Sequence, residues 1–249
     1  MRTPADRALL EAIGADLETS VAVVLATVLP EVLDTSTVEA LRAPLADTDR
    51  RRHSDIQTGR GATAFLITRA VLRTVLGHLL DRPGAQLEIV TSERGKPSLA
   101  EETSPPLHFN TSHSRTQALV ALSRVGEIGV DVEDIGTVDE RVVRRSMSNE
   151  EYERLAVMNS EDRTTAFFRL WTVKEACAKA TGVGIGIGMR KVAATLEGSG
   201  RWGEFTWESI DSGPHVAATV AVRSVGLDES RGPVALHRGV LKALFGVGP

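Results

Sequence analysis

The spacing of apolar and polar positions changes along this chain, and each change predicts an element. Residues 5–17 carry apolar positions at helical intervals and predict a short helix. The next segment, SVAVVLATV at 20–28, barely alternates and predicts a strand buried on both faces. From 36 to 80 the pattern is helical, broken at Pro44. Its clearest piece, GATAFLITRAVLRTVLG, lines up Phe65, Leu66, Val71, Leu72, Val75 and Leu76 and is expected to stop at Gly77. LEIVTSERGKPSL reads as a strand followed by a Gly-Pro loop. QALVALSRVG and IGVDVEDI read as two strands around a turn at Gly126. Residues 137–181 are helical in pattern, with SNEE at 148–151 as a helix start. Residues 190–226 predict a three-strand meander (RKVAATLE, RWGEFTWESI, HVAATVAVRSV), and the end of the chain reads as a loosely attached tail with one helical turn.

Two stretches repeat. ALVALSRVG at 118–126 is similar to ATVAVRSVG at 218–226, and LITRAVLRTVLG at 66–77 stands before the first as WTVKEACAKATG at 171–182 stands before the second. The expected fold class is therefore α+β, with two similar halves, 1–126 and 127–249, and a cleft between them where ligands commonly bind.

The totals change this picture little. At 249 residues, 42% hydrophobic and 25% charged, the chain suits a globular protein that folds without staples, and a formal net charge of -4 gives no reason to expect nucleic acid. The single cysteine, Cys177, leaves no internal disulfide and suits a reducing compartment. The first twenty residues are acidic and lack the basic start of a signal peptide, and the apolar run at 21–29 is too short to cross a bilayer. The expectation is a cytoplasmic protein without a membrane partner.

The candidate chemistry sits in IGVDVEDI. In a strand, Asp131 and Glu133 share a face while Asp134 takes the other. A solvated strand end would accommodate two such acids, but the flanking Ile128, Val130 and Val132 suggest an inner strand. In FFRLWTVKEACAKATG, Glu175 falls between Phe168 and Trp171 in helical projection. A surface pair between Glu175 and Lys179 would account for those two residues but not for the aromatic neighbours. A divalent cation would account for all three acids, since few hard oxygen donors suit Mg²⁺, and the lack of a Cys/His cluster argues against zinc.

These residues resemble a known family. GVDVE, followed by LWTVKEACAKATG, is similar to the paired signature of 4′-phosphopantetheinyl transferases, and RGKPSL and FNTSHS resemble two further motifs of that family in the same order. The match covers roughly 94–182 and is closest to the larger, monomeric class, built as a pseudo-dimer with the active site between its halves, that modifies many carrier proteins. The resemblance implies transfer of the phosphopantetheine arm of coenzyme A to a serine of an acyl or peptidyl carrier protein, with release of 3′,5′-ADP. It further implies Asp131, Glu133 and Glu175 as Mg²⁺ ligands, Glu175 also as base, and Lys179 near the pyrophosphate. Ser112, His113 and Lys96 match phosphate-contacting positions, and Arg60 and Arg52 match basic residues around the 3′-phosphate and adenine. The remaining readings are a Mg²⁺-dependent nucleotide phosphohydrolase and a coenzyme A- or carrier-binding protein without activity.

Other motifs carry less. GVGIGIG at 182–188 follows a helix and opens none, so it fails as a dinucleotide loop. Ser112, His113 and Asp131 lack the G-x-S-x-G elbow of a hydrolase. Arg144, Arg145 and Met147 offer a basic and apolar patch that would suit an acidic carrier helix, or simply an amphipathic helix.

Overall fold

The apolar run after residue 20 forms strand β1 (Val23–Val28), and both of its faces are buried: Val23 and Leu25 pack into one core cluster, Ala22 and Val24 into another. A strand covered on both sides cannot alternate, which is why the pattern was flat. The computed structural model describes residues 4–56, 59–225 and 230–247. Before β1 lies α1 (Pro4–Thr19). After it come α2 (Thr35–Arg42) and α3 (Asp47–Asp55), separated at Pro44 as expected, and then α4 (Arg60–Leu79). A hairpin of β2 (Ile89–Thr91) and β3 (Pro97–Leu99) leads to β4 (His108–His113), β5 (Gln117–Ser123) and β6 (Ile128–Asp134). Helices α5 (Glu140–Ser146), α6 (Asn149–Ala156) and α7 (Ser160–Thr181) follow. The chain ends in β7 (Ser199–Trp202), β8 (Phe205–Ser209), β9 (Val216–Arg223), β10 (Ala235–Arg238) and α8 (Val240–Phe245).

The strands form two four-stranded sheets, ordered β10-β1-β5-β4 and β6-β9-β8-β7, beside the small hairpin. A core of Leu119 and Ala121 from β5, Val130 and Val132 from β6, and Val220 from β9 fills the space between the two sheets. The outer face of the first sheet carries α1 and α4, and that of the second carries α7. The result is an α+β arrangement of helix, sheet, sheet and helix layers. Helix α4 is long and apolar enough to cross a bilayer by composition, but Leu66, Ile67, Ala70 and Leu72 are spent on the first sheet's core.

Several expectations change. Gly77 does not end α4; a Cβ there would stand 2.7 Å from the Arg82 carbonyl oxygen, so the glycine admits the returning loop while the helix runs on to Leu79. β5 and β6 flank Gly126 but do not pair, because the chain crosses there from one sheet to the other. RKVAATLE is no strand, and the meander begins at Ser199. The tail is not loose: β10 pairs in parallel with β1, and Val240 and Leu241 of α8 are buried in the first sheet's core. The segment 127–249 therefore does not form one half by itself, since its end returns to the N-terminal layer. The helix start at SNEE is observed as a capping box between Ser148 and Glu151. Met147 beside it is fully buried and cannot belong to a surface patch.

Candidate functional site

β6 and α7 meet where β6 carries Gly129. A Cβ on Gly129 would lie 2.1 Å from the Ala176 carbonyl oxygen and 2.4 Å from the Ala180 nitrogen, so only glycine lets the last turns of α7 come this close. Gly129, Asp131 and Glu133 all face α7, as the two-residue period requires, while Ile128, Val130 and Val132 point into the core between the sheets.

This close approach puts Lys179 over Asp131. The Lys179 ammonium donates to Asp131 Oδ1 at 2.7 Å, to Ser112 Oγ at 2.9 Å and to the Val130 carbonyl at 3.1 Å. Ser112 Oγ donates in turn to Asp131 Oδ1 at 3.0 Å. Asp131 is 3% exposed, and its second oxygen, Oδ2, is buried without a hydrogen-bond partner among the described residues. Asn110 of β4 fastens the same corner, its Oδ1 accepting from the Val130 amide at 3.1 Å.

Glu133 and Glu175 complete an acidic wall. The Trp171 indole N–H donates to Glu133 Oε1 at 3.3 Å, which explains an aromatic residue on an acid-bearing stripe. Burial, followed by the nearby charge of Asp131, pushes the Glu133 carboxyl up to about 7. The same two causes, in the same order, raise Glu175. Glu175 makes no ion pair with Lys179, whose ammonium goes to Asp131 instead. Among the described residues no three acid, histidine or cysteine side chains are already drawn into a metal-ligand cluster.

The acids line a cleft of about 750 Å³ whose other wall is basic. Arg52 of α3 and Arg69 of α4 place their guanidinium groups 5.4 and 5.6 Å from the centre of the Phe65 ring. Arg69 also pairs with buried Asp49 at 3.3 Å, and Asp49 is gripped by fully buried Arg73. Arg94 and Lys96 of the β2–β3 hairpin, and His113 at the end of β4, line the cleft as well. Partial burial, then the charge of Lys179, lowers the pKa of His113 below the usual imidazole value. Of the sequence candidates, Asp131, Glu133, Glu175, Lys179, Ser112, His113, Lys96 and Arg52 all reach this cleft. Arg60 does not: it donates to Glu31 and to the Arg115 carbonyl outside it. Arg69 and Arg94 were not singled out in the sequence, and Arg69, inside an apolar helical run, gave no signal there. A cleft with one acidic and one cationic wall can hold a polyanion on the basic side and a cation against the acids.

The family profile that matches residues 127–220 describes the 4′-phosphopantetheinyl transferase superfamily. Over that segment the chain is similar to this superfamily. The superfamily segment contains Asp131, Glu133, Glu175 and Lys179; the basic wall and Ser112 lie before it. Among named relatives, a putative 4′-phosphopantetheinyl transferase of Synechocystis is 33% identical over 161 residues, covering 64% of this chain and 65% of the relative. The 4′-phosphopantetheinyl transferase HetI of Nostoc is 34% identical over 153 residues, 60% of this chain and 65% of HetI. The 4′-phosphopantetheinyl transferase psf-1 of Bacillus pumilus is 32% identical over 140 residues, 56% of this chain and 59% of psf-1. The chain thus matches somewhat less than two thirds of the length of these relatives.

Proposed function

We propose that this protein transfers the 4′-phosphopantetheine group of coenzyme A to a serine hydroxyl of an acyl or peptidyl carrier protein, releasing 3′,5′-ADP. The observation that carries the reading is the acidic wall with its unpaired buried Asp131 oxygen, facing a basic wall across one cleft.

The donor set fits Mg²⁺: Asp131, Glu133 and Glu175 are hard oxygen ligands lining one side of the cleft, and the buried Asp131 Oδ2 has no hydrogen-bond partner among the described residues. A Mg²⁺ ion held there would neutralise the diphosphate of coenzyme A and the charge that builds on the leaving phosphate. The remaining work falls to side chains. Arg52 and Arg69, with Arg94, are placed to bind the adenosine 3′-phosphate end; Lys96, Ser112 and His113 are suited to phosphate oxygens. Arg60 is withdrawn from that role. Glu175 accepts the serine proton, directly or through a water, as the serine oxygen bonds to the phosphorus that carries pantetheine. The phosphorus–oxygen bond to the adenosine diphosphate portion then breaks, and Lys179 stabilises the oxygen that departs.

The repeat in the sequence supports a pseudo-dimeric plan, since β5 with α4 in one layer pair corresponds to β9 with α7 in the other. Membership of the larger class goes with that plan. Both walls of the cleft come from one chain, which suits a monomer, and the buried lone Cys177 suits the cytoplasm.

Incubation with coenzyme A, Mg²⁺ and an apo carrier protein tests the reading by intact mass. The carrier is expected to gain one phosphopantetheine as 3′,5′-ADP appears. Breakdown of coenzyme A with an unmodified carrier would make the protein a phosphohydrolase, and binding without turnover would make it a non-catalytic binder.

A further inference from the structure

The end of α7 is held from a second direction. Lys96 extends from the β2–β3 turn, its side chain 15% exposed, and its ammonium donates to the Ala180 carbonyl at 2.9 Å. The same ammonium is paired with Glu127 Oε2, and Glu127 Oε1 lies 3.3 Å from His108 Nδ1 at the start of β4. The Glu127 backbone is fixed too, its carbonyl accepting from the Arg223 amide at 2.8 Å.

Carbonyls in the last turn of a helix have no donor from within it, and a cation there also meets the negative end of the helix dipole. Lys96 satisfies both conditions at Ala180, the residue next to Lys179. A lysine on a flexible four-carbon stem does not hold such a position unaided, and Glu127, steadied by His108, supplies the anchor. The carboxyl of Glu127 is kept down at about 2, first by His108 and then by Lys96 against the effect of burial, so it is charged throughout the neutral range. Gly129 sets how close α7 comes to β6, and the Lys96 bond sets where its last turn sits.

We propose that Glu127 is a positioning residue for Lys179: it fixes the Lys96 ammonium on the Ala180 carbonyl and so keeps the last turn of α7 in register with Asp131 and Ser112. This rests on the transferase reading, in which Lys179 faces the leaving group. Lys96 then serves the reaction by holding the helix as well as by lining the cleft.

Glu127→Ala and Glu127→Gln in the full chain test the proposal by amide hydrogen exchange, calorimetric coenzyme A binding and transfer kinetics. In Glu127→Ala, exchange over 176–182 is expected to accelerate, and kcat to fall by about tenfold to a hundredfold, the scale of a small misplacement of a reacting group. Coenzyme A affinity is expected to fall much less than kcat, since Lys96 is one of several groups at the phosphates whereas Lys179 acts on the departing oxygen. Glu127→Gln, which keeps an acceptor for Lys96, should recover part of both effects. Exchange changes confined to the 89–99 hairpin, or affinity falling in step with kcat, would overturn the proposal. If the unmodified protein transfers nothing, the transferase reading fails, and exchange over 176–182 alone decides whether Glu127 tethers the helix.

Discussion

The Lys179 ammonium lies 2.7 Å from Asp131 Oδ1, while the buried Asp131 Oδ2 has no hydrogen-bond partner among the described residues. One oxygen is committed to the protein and the other is free for a ligand. Asp131→Asn keeps an acceptor for Lys179 and Ser112 but removes the charge. It also relieves the repulsion that raises Glu133 and Glu175. Transfer is therefore expected to fall by at least about a hundredfold, as when a transition-state charge partner is lost. The melting temperature should hold or rise. A parallel loss of fold and activity would show that Asp131 is structural.

Asp134 is the control. It points away from the cleft and holds the 114–116 turn, accepting from Ser114 Oγ at 3.1 Å, the Arg115 amide at 2.9 Å and Thr116 Oγ1. Asp134→Ala should cost about 2 kcal/mol in urea unfolding, the scale of lost bonds to a charged acceptor. The Mg²⁺ concentration needed for half-maximal transfer should not change. A shift in that concentration would place Asp134 among the ligands.

Gly129→Ala examines the helix–strand contact. The added methyl meets α7 backbone, which cannot swing aside like a side chain, so overpacking should cost about 1–3 kcal/mol. Because the displaced turn carries Lys179, transfer should drop well beyond what the unfolded fraction explains. Normal activity and stability together would contradict the packing described for β6 and α7.

Glu133 gives a pH signature. Its carboxyl is raised in the folded protein from 4.5 to about 7, so the unfolded state gives up this proton first. Its contribution to stability is complete below about 4.5 and is lost as pH climbs through about 7. Without added metal, the melting temperature should therefore decline between pH 5 and pH 8 (roughly the span of the two pKa values), and Glu133→Gln should flatten that decline. Saturating Mg²⁺ should reverse it, because a cation favours the ionised form. Glu175, raised by the same causes, should leave a smaller decline in Glu133→Gln, and a decline that survives there undiminished would assign it to another group.

What the sequence revealed follows from the range of each interaction. The shared face of Asp131 and Glu133 needs only the strand period, and the α6 start needs only a local capping box, so both were legible. Glu175 on an aromatic stripe was legible as a helical projection, though its true neighbour, the Trp171–Glu133 bond, joins two elements and was not. Gly129 gave no hint of its role, because the clash it avoids lies on a helix some fifty residues away. Arg69 was hidden in the apolar run of α4, and Arg60, more conspicuous, turned out to face Glu31. β10 is four residues long and pairs with a strand at the opposite end of the chain, so no local pattern could reveal it.

The most direct measurement is the intact mass of an apo carrier protein after reaction with coenzyme A, first in Mg²⁺ and then in excess EDTA. A transferase of this kind should add one phosphopantetheine in Mg²⁺, add none in EDTA, and recover fully when Mg²⁺ is restored. A carrier left unmodified in Mg²⁺, or modified equally in EDTA, would contradict it.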